Sequence, residues 1–279
     1  MSASSGGGPA ASAVAPPRRA GGGTPVHQLG NNVVVFVADL GRMARFAVEV
    51  VRATARRPLR FGRLVDEVFD VGVLSLPIVL GSGLAVGMVL GLQGYDTLVR
   101  FGAEESLGAV VGLSLIRELG PVLTGLLVTG RAGSAVAAEI GSMVASEQLD
   151  GLRMMSIDPV HLVVKSKALA LLLAMPLLSA LFICTALFGG YLVGVGVLGV
   201  DGGGYLSSLE SAVGFREDVA GSLTKALVFG ALVGLVATYR GYRSRPTSEG
   251  VSAATTATVV MASVAILVLD LFITALWGV

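Results

Sequence analysis

Five stretches of this sequence stay apolar for about 20 residues or more, and that property leaves few folds open. They run from about Val71 to Leu92, Leu107 to Gly130, Ala168 to Leu198, Val219 to Tyr239 and Ala257 to Gly278. At about 1.5 Å rise per residue, about 20 residues carry a helix across a hydrocarbon core of about 30 Å. Of the 279 residues, 53% are hydrophobic and 14% charged, with a mean hydropathy of +0.80, a balance foreign to soluble domains. The sequence therefore predicts an all-α integral membrane protein with five transmembrane helices.

The basic residues orient those helices. Arg18, Arg19, Arg42, Arg45, Arg52, Arg56, Arg57, Arg60 and Arg63 precede the first span. Arg131, Arg153, Lys165 and Lys167 follow the second, and Arg240, Arg243 and Arg245 follow the fourth, whereas only Arg100 and Arg216 fall on the opposite side. The excess of positive charge on one side predicts a cytoplasmic N-terminus and a C-terminus outside. The net charge of +1 gives no indication of a nucleic-acid partner.

Outside the spans the pattern changes three times. Residues 1–32 are rich in Gly, Ala and Pro, lack the apolar core of a signal peptide, and read as a disordered cytoplasmic tail. Residues 33–65 alternate apolar positions at near-helical spacing with arginines, the pattern of an interfacial helix on the inner leaflet. Between the second and third spans, Ile140, Met143, Val144, Leu152 and Met155 fall at helical spacings among acids, which predicts an amphipathic cytoplasmic helix over about 138–155. Within the first span Gly83, Gly87 and Gly91 recur every four residues, so one helix face lacks side chains and invites close packing, inside the subunit or against a second copy. Cys184, the single cysteine, reads as a small buried packing residue.

Four charges lie within the predicted spans: Arg117 and Glu118 in the second, Lys225 in the fourth and Asp270 in the fifth. A charge at the centre of a membrane helix costs about 2.5–3.5 kcal/mol on insertion scales, so such residues face one another or a hydrated cavity. Counting from the outer ends places Lys225 about six residues deep, Asp270 about eight, and Arg117 and Glu118 about ten and eleven, in the outer half or at the midplane. Pro121 follows the pair and predicts a kinked or broken helix. The residues admit two interpretations: a set of ion pairs holding the bundle together, or an outward-open cavity for a molecule with a polar head and apolar body.

No G-x-x-x-x-G-K-[ST] phosphate loop occurs, the two histidines, His27 and His161, stand apart, and no serine sits beside a base. An enzyme is not indicated, and no metal site is.

The motifs Gly91-Leu92-Gln93-Gly94-Tyr95, Ser106-Leu107-Gly108, Arg117-Glu118-Leu119-Gly120-Pro121, Gly130-Arg131-Ala132-Gly133-Ser134, Ala138-Glu139-Ile140-Gly141, Glu147-Gln148-Leu149, Pro246-Thr247-Ser248 with Gly250, and Ala254-Thr255-Thr256 resemble, in this order, those of the MlaE/YrbE permease family. The resemblance covers residues 66–279. It implies a homodimeric permease of an ABC transporter that moves phospholipid between the inner and outer membranes of a Gram-negative envelope. It also implies a cytoplasmic ATPase that binds ATP and Mg, a STAS-domain protein and a hexamer of MCE-domain proteins as partners. On the same basis, Arg117, Glu118, Lys225 and Asp270 would be the charged residues of the lipid cavity, and Leu98 and Phe101 its apolar contacts. Glu139, Glu147, Gln148 and Leu149 would belong to the coupling helix that meets the ATPase. An ion-coupled carrier protonated at Asp270 or Glu118, or a scaffold for a periplasmic lipid-transfer ring, are the competing functions.

Overall fold

The computed structural model describes residues 25–55 and 61–277. The predicted tail lies outside the described residues as far as residue 24. The chain divides into two units, residues 1–42 and 43–279.

In the first unit, helix α1 (Pro25–Ala55) has already begun at Pro25 instead of Val33. Proline suits a first helical turn, where its missing N–H has no intrahelical acceptor. Val34, Val37 and Leu40 are exposed, and Arg42 donates to Asp39 at 3.3 Å.

In the second unit the remainder of α1 buries Phe46, Val50 and Ala53 against Val160, Val164 and Tyr239. Five helical runs are long and apolar enough to cross a membrane: Phe61–Phe101, Glu104–Ala145, Val160–Gly194, Phe215–Tyr242 and Ser248–Leu276. The first comprises α2 (Phe61–Gly72), a 3-10 turn and α3 (Leu76–Leu98); the second comprises α4 (Leu107–Ser114), α5 (Gly120–Val128) and α6 (Ser134–Ala145). After α7 (Gln148–Met154) come α8 (Lys165–Gly194), α9 (Gly202–Ala212), α10 (Ala220–Tyr242) and α11 (Ser248–Trp277).

Helix α8 is the axis of packing, with Leu171, Met175, Leu178 and Phe182 fully buried. The Gly83, Gly87 and Gly91 face of α3 lies directly on it. A Cβ at Gly87 would overlap the Ala186 carbonyl, and one at Gly91 would sit 3.1 Å from the Gly190 carbonyl. The glycine face therefore serves packing within the subunit. On another side of α8, Gly230 and Gly234 of α10 bring that helix against the Leu171 and Ala168 carbonyls.

Several boundaries differ from those expected. The second span does not stop at Gly130 but continues through α6 to Ala145, a run of 42 residues and about 63 Å, roughly twice a hydrocarbon core. Pro121 does not break it: a π-helical turn, Leu115–Leu119, precedes the proline and the helix resumes at Gly120. The predicted 138–155 helix is two helices. Glu147 adopts φ 57°, a left-handed conformation that ends α6 and redirects the chain into α7. The third span ends at Gly194 instead of Leu198, in a glycine-rich turn where Gly199 takes φ 75°. Cys184 is exposed on the α8 surface, not buried.

Helix α9 was not expected. Asp201 caps it by accepting the Gly204 N–H at 2.6 Å, and its Tyr205 carbonyl lies against Gly108 of α4. Tyr205 is 1% exposed, and burial pushes its pKa up to about 12.

Candidate functional site: an ion cluster among the spans

Two π-helical turns supply half the site. Leu115–Leu119 carries Arg117 and Glu118, and Phe215–Val219, leading into α10, carries Asp218. Such turns widen a helix locally and leave backbone groups out of the regular ladder. Here the consequence is specific. In an α-helix the Arg117 carbonyl would accept from the N–H at position 121, which Pro121 lacks, and Lys225 donates to that carbonyl at 3.0 Å.

The Lys225 ammonium has two further acceptors, Glu118 Oε1 at 2.9 Å and Thr274 Oγ1 at 2.8 Å, which account for its three donors. Asp270 Oδ1 stands 3.6 Å from the same ammonium, an ion pair beyond hydrogen-bond reach. The Thr274 hydroxyl faces both Glu118 oxygens, at 3.2 and 3.3 Å. Glu118, Lys225 and Asp270 therefore do assemble, from α10, α11 and the π turn of the second span.

Arg117 does not join them through its side chain. Its Nε donates to Asp218 Oδ1 at 2.6 Å, while Asp218 Oδ2 accepts the Gly214 N–H at 2.7 Å. Asp218 is the partner that the sequence reading missed, since it stood one residue outside the predicted start of the fourth span. Its spacing was the available signal: positions 218 and 225 are two helical turns apart, on one face. With Asp218 included, the group holds two cations and three carboxylates, so it is not the neutral set of four charges first expected.

Arg117, Glu118, Asp218, Lys225 and Thr274 line an open cleft of about 30 Å³, well below the ~300–1,000 Å³ typical of small-ligand pockets, so it has room for a small polar group and not for a whole ligand. Glu217 and Ser222 also line it. The Ser222 hydroxyl is buried and has no hydrogen-bond partner. Leu98 and Phe101 do not line this cleft; Leu98 is partly buried and Phe101 is 79% exposed at the end of the first span.

At the opposite ends of the spans, Lys167 of α8 is 2% exposed and donates to Glu67 of α2 at 2.8 Å and Glu139 of α6 at 2.6 Å. Glu139 is thus engaged within the subunit. Leu149 turns inward, 4% exposed, whereas Glu147 and Gln148 are exposed at the start of α7 and Met154 and Met155 at its end.

A bundle of long apolar helices enclosing paired charges is a multi-pass membrane protein. The sequence matches the permease MlaE family over residues 64–276. It is 46% identical over 251 residues to the intermembrane phospholipid transport system permease protein MlaE of Haemophilus influenzae, covering 90% of this chain and 96% of the relative. It is 38% identical over 253 residues to a probable ABC transporter permease protein of Rickettsia bellii, again covering 90% and 96%. A more distant relative, chloroplastic TRIGALACTOSYLDIACYLGLYCEROL 1 of Arabidopsis thaliana, is 31% identical over 224 residues, 80% of this chain and 64% of the relative. The chain belongs to the MlaE permease family.

Proposed function

We propose that this chain is the permease subunit of an ABC transporter that moves phospholipid between the inner and outer membranes of a Gram-negative envelope. It acts as a homodimer in the inner membrane, with its N-terminus cytoplasmic and its C-terminus periplasmic. The observation that carries the reading is the ion cluster bordering an open cleft among apolar spans. A lipid has the same division, a charged head and a greasy body.

Within the cleft, Lys225 has its donors occupied, which leaves Arg117 as the available cation. Among the described residues its Nε alone is engaged, by Asp218, and its side chain is 36% exposed. The two Nη groups of Arg117, which lines the same cleft as Ser222 with its unpartnered hydroxyl, suit the oxygens of a phosphate. Glu118, Lys225 and Asp270 hold the walls from three helices.

The protruding Glu147, Gln148, Met154 and Met155 fit docking of a cytoplasmic ATPase, which supplies the ATP and Mg chemistry that this chain lacks motifs for. A STAS-domain protein and an MCE-domain hexamer complete the assembly implied by family membership. The apolar outer face of α11, including Leu271 at 69% exposed and Val260 at 61%, fits lipid or a second subunit.

The test is transfer of labelled phospholipid by the chain reconstituted with its ATPase. Transfer should require ATP hydrolysis and should fall at least tenfold in Arg117→Gln at unchanged protein level. Transfer that persists with a hydrolysis-dead ATPase, or follows a proton gradient instead, overturns the proposal.

A further inference from the structure

A second charged groove lies well away from the ion cluster, between the C-terminal half of α1 and the turn that leads into α8. Arg45, Val48, Glu49, Arg52, Ala53, Asp158 and His161 line it, around a cavity of about 540 Å³. The helical pattern explains its construction. Phe46, Val50 and Ala53 anchor α1 on Val160, Val164 and Tyr239, so Arg45, Glu49 and Arg52, each one residue earlier than an anchor, fall together along the adjoining edge. The anchoring is aromatic as well as aliphatic: Phe46 lies 5.6 Å, ring to ring, from both Tyr239 and Tyr242.

The groove is charged but unsatisfied. Arg45 and Arg52 are exposed and enter no ion pair among the described residues, even though Glu49 lies within one helical turn of each. Asp158 uses Oδ1 to accept the Val160 N–H at 2.9 Å, leaving its other oxygen for a ligand. Val48 and, just beyond the groove, Val51 present apolar surface, 49% and 68% exposed. Two guanidinium groups, an imidazole, two carboxylates and an apolar wall thus share one groove at the basic end of the spans.

We infer that this groove binds the head group of an amine-bearing phospholipid from the cytoplasmic leaflet. Arg45, Arg52 and His161 take the phosphate, Glu49 and Asp158 the ammonium, and an acyl chain follows Val48 and Val51. The mixed charge is what selects the class: a purely anionic head group would meet two carboxylates with nothing to neutralise them. The site is independent of the outer cleft and of the transport reading.

Native mass spectrometry of the full chain released from micelles doped with dioleoylphosphatidylethanolamine or dioleoylphosphatidylglycerol tests this. The wild type should retain one phosphatidylethanolamine that Arg45→Gln/Arg52→Gln holds on the order of tenfold less well. Arg100→Gln, which removes an exposed charge from the other end of the first span, should retain it fully. Glu49→Gln should shift preference toward phosphatidylglycerol. Equal retention by the double variant overturns the site, and equal retention of the two lipids overturns the amine class. Displacement by soluble glycerophosphoethanolamine at the lipid's own concentration would instead make the groove a site for a free phosphate compound.

Discussion

Lys225 donates to the Arg117 carbonyl at 3.0 Å, filling the position that Pro121 empties. A side chain on α10 thereby completes the backbone of the second span. The proline and the lysine are two halves of one arrangement, which makes their effects non-additive.

Lys225→Met should destabilise the protein in detergent, because Glu118 and Asp270 lose their shared cation. In a Pro121→Ala background, where an N–H is restored, the same substitution should destabilise less, with a coupling of about 1 kcal/mol. Thermal melts of the four proteins measure it. Strict additivity would mean that the carbonyl contact contributes nothing.

Asp218→Asn should loosen the junction of the two π turns by ~1–3 kcal/mol, since Arg117 keeps its charge and loses its carboxylate. Exchange of the pair, Arg117→Asp with Asp218→Arg, should recover part of the melting temperature without recovering lipid transfer. Full recovery of transfer would remove Arg117 from the head-group role.

On α3 the position of a glycine decides the outcome. Gly87→Ala puts a methyl group into the backbone of α8 and should lower stability by about 1–3 kcal/mol. Gly81→Ala meets open space and should be neutral or stabilising by up to about 1 kcal/mol. The melting temperature should therefore fall in Gly87→Ala and hold or rise in Gly81→Ala.

Tyr205 links stability to alkaline pH. Its phenol is held protonated in the folded state to about 12, whereas the unfolded side chain ionises near 10. The stabilisation is fully present below about pH 10 and is lost as pH rises through about 12. Tyr205→Phe should abolish that component, and at neutral pH should be close to neutral because the buried hydroxyl has no partner. Ultraviolet titration of phenolate absorbance, compared between the two proteins, reads the shift directly.

The five spans were legible because hydropathy over about 20 residues is a property of the lipid environment and needs no tertiary knowledge. The trio of Glu118, Lys225 and Asp270 was legible for the same reason: charges in hydrocarbon must find one another. What escaped depended on local geometry. Asp218 falls one residue before the apolar run that begins at Val219, and a π turn that brings it inward leaves no mark on composition. Helix α9 was hidden by three consecutive glycines, 202–204, whose low propensity was overridden by the Asp201 cap and by burial of Tyr205. The break at Glu147 rests on a backbone angle that the side chain does not announce.

The contact of α3 with α8 has a mechanical consequence. With the Gly87 backbone resting on that of Ala186 and Gly91 on Gly190, the helices meet backbone to backbone at these two positions, where no side chain can change rotamer to let one slide past the other. The two behave as a single welded girder. Any breathing of the permease must occur along the seams that retain side chains, where α10 and α11 meet the second span, and those seams are where Lys225 fastens three strands of the bundle with one ammonium group.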